Sequence, residues 1–438
     1  MPTWSTASPR AKPGGPPRPP QRAGGVPTSK TPANSPETGI SGREDPLAPE
    51  FLSEEGVSLY VHFPFCVSRC RYCDFNAHAW TGQDLERHVD ALLREAGARA
   101  AGLGPQTVFL GGGTPSLLPP VLLARLLQGL EDRCGFRESA CEVTLEANPE
   151  SFGPATAEAA REGGVTRISI GVQSFQADVL AAFDRAHDAE TALAALRTAQ
   201  EAGFRHLNAD LIFGFSGQDP ALWESDLERV LGAGPDHVSC YELSFEPGTP
   251  LTRLHRAGRF PAEDDLRLKE LFERTGELCA ARGFARYEVS NFARPGAGCR
   301  HNAAIWRSFS LVGIGAGAAG CRNGVRRKNL ARPAEYEAAV LAGKDPLAEE
   351  ERPDPHTLLF EVFLMGLRLV REGVRLSRAR RISGLDPETV LAGPLDELRA
   401  EGLLEETGAG QARALRVTPR GLLFLDSVLT RLLPAPRR

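Results

Sequence analysis

Three cysteines in one short loop carry the most reactive chemistry in this sequence. Cys66, Cys70 and Cys73 are separated by three and then two residues, within Leu59-Tyr60-Val61-His62-Phe63-Pro64-Phe65-Cys66-Val67-Ser68-Arg69-Cys70-Arg71-Tyr72-Cys73-Asp74-Phe75. An apolar run leads in and Pro64 stops it. Such a loop can wrap three thiolates around one small inorganic centre. Thiolates suit iron–sulfur clusters, which commonly take four protein ligands. The loop supplies three, so one iron would be left open. A structural zinc site, or unrelated thiols, is the plainer alternative. Zinc prefers a closed set of four ligands, often as two separated pairs, and no pair of that form occurs elsewhere in the chain.

The Cys-x3-Cys-x2-Cys pattern resembles the hallmark of the radical S-adenosylmethionine (SAM) superfamily. The resemblance implies a [4Fe–4S] cluster on Cys66, Cys70 and Cys73, with the amine and carboxylate of SAM on the fourth iron. The cofactor carries the hard chemistry there, while the protein orients it and excludes side reactions.

Elements that would position such a loop follow in order. Val57–His62, Thr107–Leu110, Cys141–Leu145, Thr166–Val172, His206–Phe213 and His237–Leu243 read as six strands. Between them lie helical patterns, such as Leu85, Val89, Leu92, Leu93 and Ala96 on one face of Gln83–Ala101. Repeated βα units imply a parallel sheet with helices outside, and right-handed crossovers curl it toward an open (β/α)6 partial TIM-type barrel. In such barrels the site lies at the carboxyl ends of the strands, which is where the polar and Gly-rich punctuation falls.

After the second strand comes Gly111-Gly112-Gly113-Thr114-Pro115, whose bare backbone can approach a small zwitterion closely. After the third, Glu146 ends an apolar run, where an unpaired carboxylate is expensive; it could accept from ribose hydroxyls or an ammonium. Gln173 follows the fourth strand, and Arg185 could form a forked bond to a carboxylate. Asp210 interrupts the fifth strand. Tyr72 could pack on a nucleobase or shield the cluster. These residues read as a ring around one ligand.

Composition sets outer bounds. The chain has 438 residues, 24% charged and 42% apolar, ordinary for a soluble globular protein of two or three domains. A net charge of −5 gives no global reason to expect nucleic acid or an anionic membrane. No apolar run approaches the roughly 18–20 residues of a membrane span. The other six of nine cysteines are scattered, which fits a reducing cytoplasmic compartment. The first 49 residues hold 12 of the 34 prolines and should be a disordered tail; its arginines partly match an organellar transit peptide, but its prolines would break an amphipathic helix.

A more specific resemblance rests on five segments. Tyr60-Val61-His62-Phe63-Pro64-Phe65-Cys66, Gly111–Pro115, Leu145–Pro149, Ser169-Ile170-Gly171-Val172-Gln173-Ser174-Phe175 and Tyr287-Glu288-Val289-Ser290-Asn291-Phe292-Ala293 together resemble the oxygen-independent coproporphyrinogen III oxidase-like (HemN-like) family. The resemblance covers roughly residues 57–430. It implies that Tyr60, Gly112, Gly113, Thr114, Glu146, Gln173, Arg185 and Asp210 contact SAM. The oxidase itself has a further cysteine two residues after the third cluster cysteine, where this chain has Phe75, as does the HemW-type haem chaperone branch. That branch carries a His-Asn-x-x-Tyr-Trp haem motif. Here Arg300-His301-Asn302-Ala303-Ala304-Ile305-Trp306 keeps His301, Asn302 and Trp306, with Ile305 in place of the tyrosine. Imidazole ligates haem iron readily. Otherwise His301 is a structural turn residue.

Leu311-Val312-Gly313-Ile314-Gly315-Ala316-Gly317-Ala318-Ala319-Gly320 looks like a dinucleotide fingerprint but lacks the βαβ unit that would follow. The family's glycine-rich segment often has histidine where Ala319 stands. From about Pro353, helices at Leu358–Val370 and Leu395–Glu401, strands at Leu403-Leu404-Glu405 and Ala414–Val417 and a closing helix at Arg420–Leu432 resemble a winged-helix module. No basic recognition helix stands out, so a lid over the barrel is expected rather than nucleic-acid binding.

The expected division is a tail at 1–49, the radical SAM core at 50–290, a connecting segment at 291–350 and a C-terminal winged-helix-like α+β domain at 351–435. The resemblance implies haem as cargo, a haem-accepting protein, and an electron donor if SAM is cleaved, with any membrane association through the acceptor alone. It leaves open whether a substrate is turned over. Radical decarboxylation of coproporphyrinogen III and methyl transfer by a radical SAM enzyme are the alternatives.

Overall fold

A computed structural model describes residues 45–47 and 52–433 of the chain. Except for 45–47, the expected disordered tail lies outside the described residues.

Seven parallel strands form the centre of a twelve-stranded sheet. They are β1 (Val57–Phe63), β2 (Thr107–Gly112), β3 (Glu142–Ala147), β4 (Arg167–Gln173), β5 (His206–Phe213), β6 (His237–Glu242) and β7 (Ser310–Ile314). The six strands expected from the sequence run side by side from β1 to β6, each parallel to the next. The seventh differs from that expectation. The chain leaves β6, forms a short antiparallel strand at Asn291–Ala293, and then returns so that β7 pairs parallel with the free edge of β1. Three antiparallel strands, Ala319–Arg322, Val325–Asn329 and Leu347–Glu351, extend the sheet beyond β7.

Strict alternation within the strands sorts the two faces, because successive side chains point to opposite sides. On β3 and β4, Val143, Leu145, Ile168 and Ile170 are buried in one apolar core with the outer helices. Between them stand Glu142, Thr144, Glu146, Arg167 and Ser169, which face the lumen. The barrel is therefore apolar outside its wall and polar inside it. Helices Leu85–Arg99, Ala189–Glu201, Pro220–Gly232 and Asp265–Ala281 cover the wall, each started by an aspartate that accepts a backbone N–H of its first turn: Asp84, Asp188, Asp219 and Asp264.

The C-terminal domain has its own core, with Phe363, Leu395, Leu398, Leu415 and Val428 fully or almost fully buried. Three helices, Pro355–Gly366, Leu376–Ser383 and Ala392–Ala400, pack with a three-stranded antiparallel sheet. The hairpin is Leu404–Thr407 with Ala414–Val417, and Val374–Arg375 adds a third strand that the sequence reading lacked. The single closing helix expected there is two, Pro419–Leu423 and Leu425–Arg431, broken at Phe424.

Candidate functional site

The cysteine loop and the glycine triplet are built as one unit. Phe65–Cys66 pairs with His78–Ala79, which folds the loop back on itself. The N–H of Gly113 donates to Phe63 O (2.7 Å) and that of Thr114 to Phe65 O (2.8 Å). Gly112 has φ +104°, and a Cβ there would lie 2.3 Å from the His62 ring, so only glycine fits. On the other side, the carbonyl of His62 would be 2.2 Å from a Cβ on Gly315, at φ +106°. Thus β1 is clasped between two glycine turns. The second is held from behind by buried Glu95, which accepts from Gly315 N–H (2.8 Å), Tyr336 Oη (2.7 Å) and Asn329 Nδ2 (2.8 Å).

The expected ligand ring converges on one cavity of about 550 Å³ that runs down the barrel lumen. Cys66, Cys70, Cys73 and Tyr72 form its mouth; Gly112, Gly113, Thr114, Glu146, Gln173, Arg185 and Asp210 line its wall. Tyr60 stands apart. It lines a second, adjoining cavity, and its hydroxyl bonds His62 Nδ1 at 2.8 Å. Tyr72 packs edge-on against Phe183, with ring centres 5.1 Å apart. Gln173 takes φ +67° at an irregularity between β4 and β5.

Two carboxylates in this ring have no cationic side chain paired with them among the described residues. Glu146 accepts one backbone N–H, from Gly112 at 2.9 Å, and burial pushes its carboxyl up to about 7. Asp210 accepts from Ser169 Oγ (3.0 Å) and Asn208 Nδ2 (2.8 Å), yet burial still raises it. Facing them, Arg185 donates to Cys70 Sγ (3.1 Å), Asn148 Oδ1 (2.8 Å) and Gly171 O (2.7 Å), while its buried Nε has no partner among the described residues. Burial holds the Cys66 thiol at about 11 and pushes Cys73 to about 12. Buried thiols of that kind become thiolates when iron compensates them, so three thiols, a guanidinium on one sulfur and an adjoining polar lumen fit a cluster with a bound zwitterion. No three His, Cys, Asp or Glu among the described residues gather around a single-ion position.

Sequence reasoning did not single out Asn148, His62, Ser169 or His187. Asn148 ties Thr114 (2.9 Å) to Arg185, and His187 Nε2 bonds Val172 O at 3.0 Å. Asn148 does follow β3 immediately, the position that marked the others.

The second cavity, of about 1040 Å³, lies between the barrel mouth, the strands beyond β7 and the C-terminal domain. Gly112, Glu146 and Phe75 border both cavities, so the two adjoin. The helix Arg300–Trp306 packs beside this junction. Ile305 lines the larger cavity and Asn302 the lumen. Trp306 is partly buried, with Arg368 5.4 Å from its ring centre. His301 is placed quite differently from an open haem ligand. It is 0% exposed and packs at a tilt against Phe109, ring centres 5.0 Å apart, and Phe109 in turn packs on Tyr60. Its Nδ1 bonds Thr107 Oγ1 (2.8 Å), which donates on to Ser58 Oγ (2.8 Å). Its Nε2, left with the lone pair, has no partner among the described residues. The sequence could not tell which way this helix turns. In the structure the histidine faces the barrel floor, where its backbone N–H donates to Glu142 (3.0 Å). Ala319 opens an antiparallel strand rather than a βαβ unit, as the rejection of a dinucleotide site required.

An open parallel barrel with three cysteines and a glycine triplet at its mouth defines a radical SAM protein. Residues 60–230 match the Radical SAM superfamily and residues 354–424 the HemN C-terminal domain. The solved structure of coproporphyrinogen III oxidase (HemN) from Escherichia coli shares the fold, with a TM-score of 0.73 over 88% of this chain and 91% of that one, at 23% identity. Heme chaperone HemW of Mycobacterium tuberculosis strain H37Rv is 40% identical over 394 residues, 88% of this chain and 97% of that protein. Heme chaperone HemW of Escherichia coli K12 is 36% identical over 85% of this chain and 97% of its own length. A mitochondrial radical S-adenosyl methionine domain-containing protein 1 from Bos taurus is 34% identical over 86% of this chain and 87% of that protein. The chain belongs to the HemW heme chaperone family. No helix among the described residues is long and apolar enough to cross a membrane.

Proposed function

We propose that this chain binds haem and passes it to an acceptor protein, on a scaffold that holds a [4Fe–4S] cluster through Cys66, Cys70 and Cys73 and SAM in the barrel lumen. The observation that carries the reading is the pair of adjoining cavities with Phe75 at their border. One has the polar groups that suit SAM. The other is far larger, and Phe75 stands where the oxidase-type loop would carry a further thiol.

Within the lumen, the backbone of Gly112 and Gly113 receives the SAM ammonium. Glu146 and Asp210 accept from the ribose hydroxyls or that ammonium, which supplies the positive charge and donors they lack. Arg185 steadies the methionine carboxylate and the Cys70 sulfur. Gln173, Thr114 and Tyr72 close the sides, and Tyr60 holds His62 against the glycine turn. Cys66, Cys70 and Cys73 would hold the cluster, which would supply electron-transfer chemistry to SAM in the lumen, with an electron donor needed if SAM is cleaved. Haem lies against the Arg300–Trp306 helix. His301, with Asn302 and Trp306, would contact it once that helix shifts and exposes the buried Nε2.

Anaerobic reconstitution with iron and sulfide, followed by haem titration watched in the visible spectrum, tests this. Stoichiometric uptake by the wild type supports the chaperone reading. Loss of the ligated spectrum in His301→Ala, with SAM binding retained, gives His301 its role. No uptake by either protein would remove the haem reading and turn attention to coproporphyrinogen turnover.

A further inference from the structure

Resting on the haem reading, we infer that the 1040 Å³ cavity is the cargo chamber, and that Arg378 and Arg381 form the clamp for the two haem propionates. In the structure the carboxylate of Glu54 occupies that clamp.

Haem is a flat apolar macrocycle with both carboxylates on one edge. The chamber has the matching asymmetry. Ile305, Phe309, Val362, Met365 and Ile382 give it an apolar wall. At one margin, Arg378 and Arg381 stand one turn apart on the helix Leu376–Ser383. Arg378 is 6% exposed, lies 5.0 Å from the centre of the Phe309 ring, and has a buried Nε without a partner among the described residues. Arg381 is 60% exposed. Glu54, from the segment leading into β1, sends one oxygen to each: Oε1 to Arg378 Nη2 at 2.7 Å and Oε2 to Arg381 Nη2. A carboxylate spanning two guanidinium groups at the edge of an apolar chamber is the geometry a propionate edge would reproduce. Elsewhere on the wall Arg326 pairs with Glu361 and Glu351, and Arg378 is also steadied by Glu372 at 3.6 Å. The chamber also explains the motif helix, whose Ile305 faces the cavity while His301 lies behind Phe109. Cargo can thus reach the place of the family's tyrosine without opening the floor.

The test varies the ligand first, so that no folding defect can imitate the result. The reconstituted full chain is titrated with haem and with haem dimethyl ester, whose propionates are uncharged. Charge-assisted pairing predicts haem binding about tenfold to a hundredfold tighter than the ester. Arg381→Met, at an exposed position, is expected to weaken haem about tenfold and leave the ester unchanged. Glu54→Gln is expected to tighten haem several-fold and leave the ester unchanged, because the competing carboxylate is gone. Ile305→Trp, which fills the chamber, should weaken both ligands. Equal affinities for haem and ester, or a Glu54→Gln protein that binds haem more weakly, would overturn the clamp while leaving the chaperone reading intact. Loss of haem in His301→Ala with none in Ile305→Trp would move the cargo out of the chamber. Failure of the wild type to bind either ligand would remove the chaperone reading itself.

Discussion

Glu142 and Glu146 stand four residues apart on β3, the first buried and the second partly buried, both facing the lumen, and their electrostatics are opposite. At the floor, burial alone would raise Glu142, but Arg167 Nε at 2.9 Å and the His301 N–H at 3.0 Å outweigh it and hold the carboxyl at about 2. At the mouth, Glu146 has a single backbone donor and no paired cationic side chain among the described residues, and burial pushes it up to about 7. Buried charge is tolerated when it is paired and expensive when it is not. The floor is complete in itself. The mouth is left short of donors, as a surface that waits for a ligand would be. Glu142 is the more deeply buried of the two, so burial alone cannot explain why Glu146 is the one raised; the partners do.

The largest way to break this contrast is at the floor. Arg167→Met leaves buried Glu142 with only the more distant Arg300, 3.9 Å away, and removing one partner of a buried pair costs about 3–5 kcal/mol. Arg167 also donates to the carbonyls of Ala297 (2.7 Å) and Gly298 (3.2 Å), which lead into the His301 helix, so that helix should loosen with it. Urea denaturation of the variant measures the loss. A change below about 1 kcal/mol would mean the floor is not the self-paired structure described.

Glu146→Gln should do the reverse. The folded carboxyl is raised above its unfolded value, so its contribution is fully present below that unfolded value of about 4.5 and is lost as the pH rises through about 7. Relative to the glutamine variant, SAM-free wild type should therefore lose on the order of 2 kcal/mol between pH 4.5 and pH 8. SAM affinity should fall at least about tenfold in the same variant, the loss of one charge-assisted contact. Stability that tracks pH identically in both proteins would show Glu146 to be as well paired as Glu142.

How far this contrast could be read from sequence is itself instructive. The mouth was legible because chemistry-bearing residues followed apolar strands: Glu146 after Leu145, Gln173 after Val172, Asp210 inside Leu207–Ile212. The floor was not. Glu142 begins its strand and looks like an ordinary exposed end, and its partner Arg167 starts a different strand 25 residues later, so pairing depends on register, which spacing does not reveal. The parallel placement of β7 was missed for a related reason, because its chain segment, Ser310–Ile314, joins β1 across 250 residues and reads locally as a glycine-rich turn. His301 was found by its motif, but helix orientation decides whether a motif histidine meets solvent, a cavity or the core, and that is a tertiary fact.

His301 supplies the smallest and sharpest test, because it can be assigned to floor or mouth by its protons. Burial lowers its folded value to about 4, against about 6.5 unfolded. Between those values the unfolded chain binds the extra proton, so the stability His301 contributes is complete above pH 6.5 and declines as the pH falls toward 4. Relative to His301→Gln, which has nothing to titrate there, wild type should lose about 2 kcal/mol between pH 7 and pH 5. Repeating the comparison with haem bound separates the two assignments. If haem rests in the outer chamber, the imidazole keeps its place behind Phe109 and the pH-dependent gap persists. If Nε2 ligates the iron, the histidine leaves Thr107, the gap changes, and the visible spectrum of the glutamine variant differs from that of wild type. A gap absent even without haem would show that the floor admits water to Nε2, and would place His301 with the mouth after all.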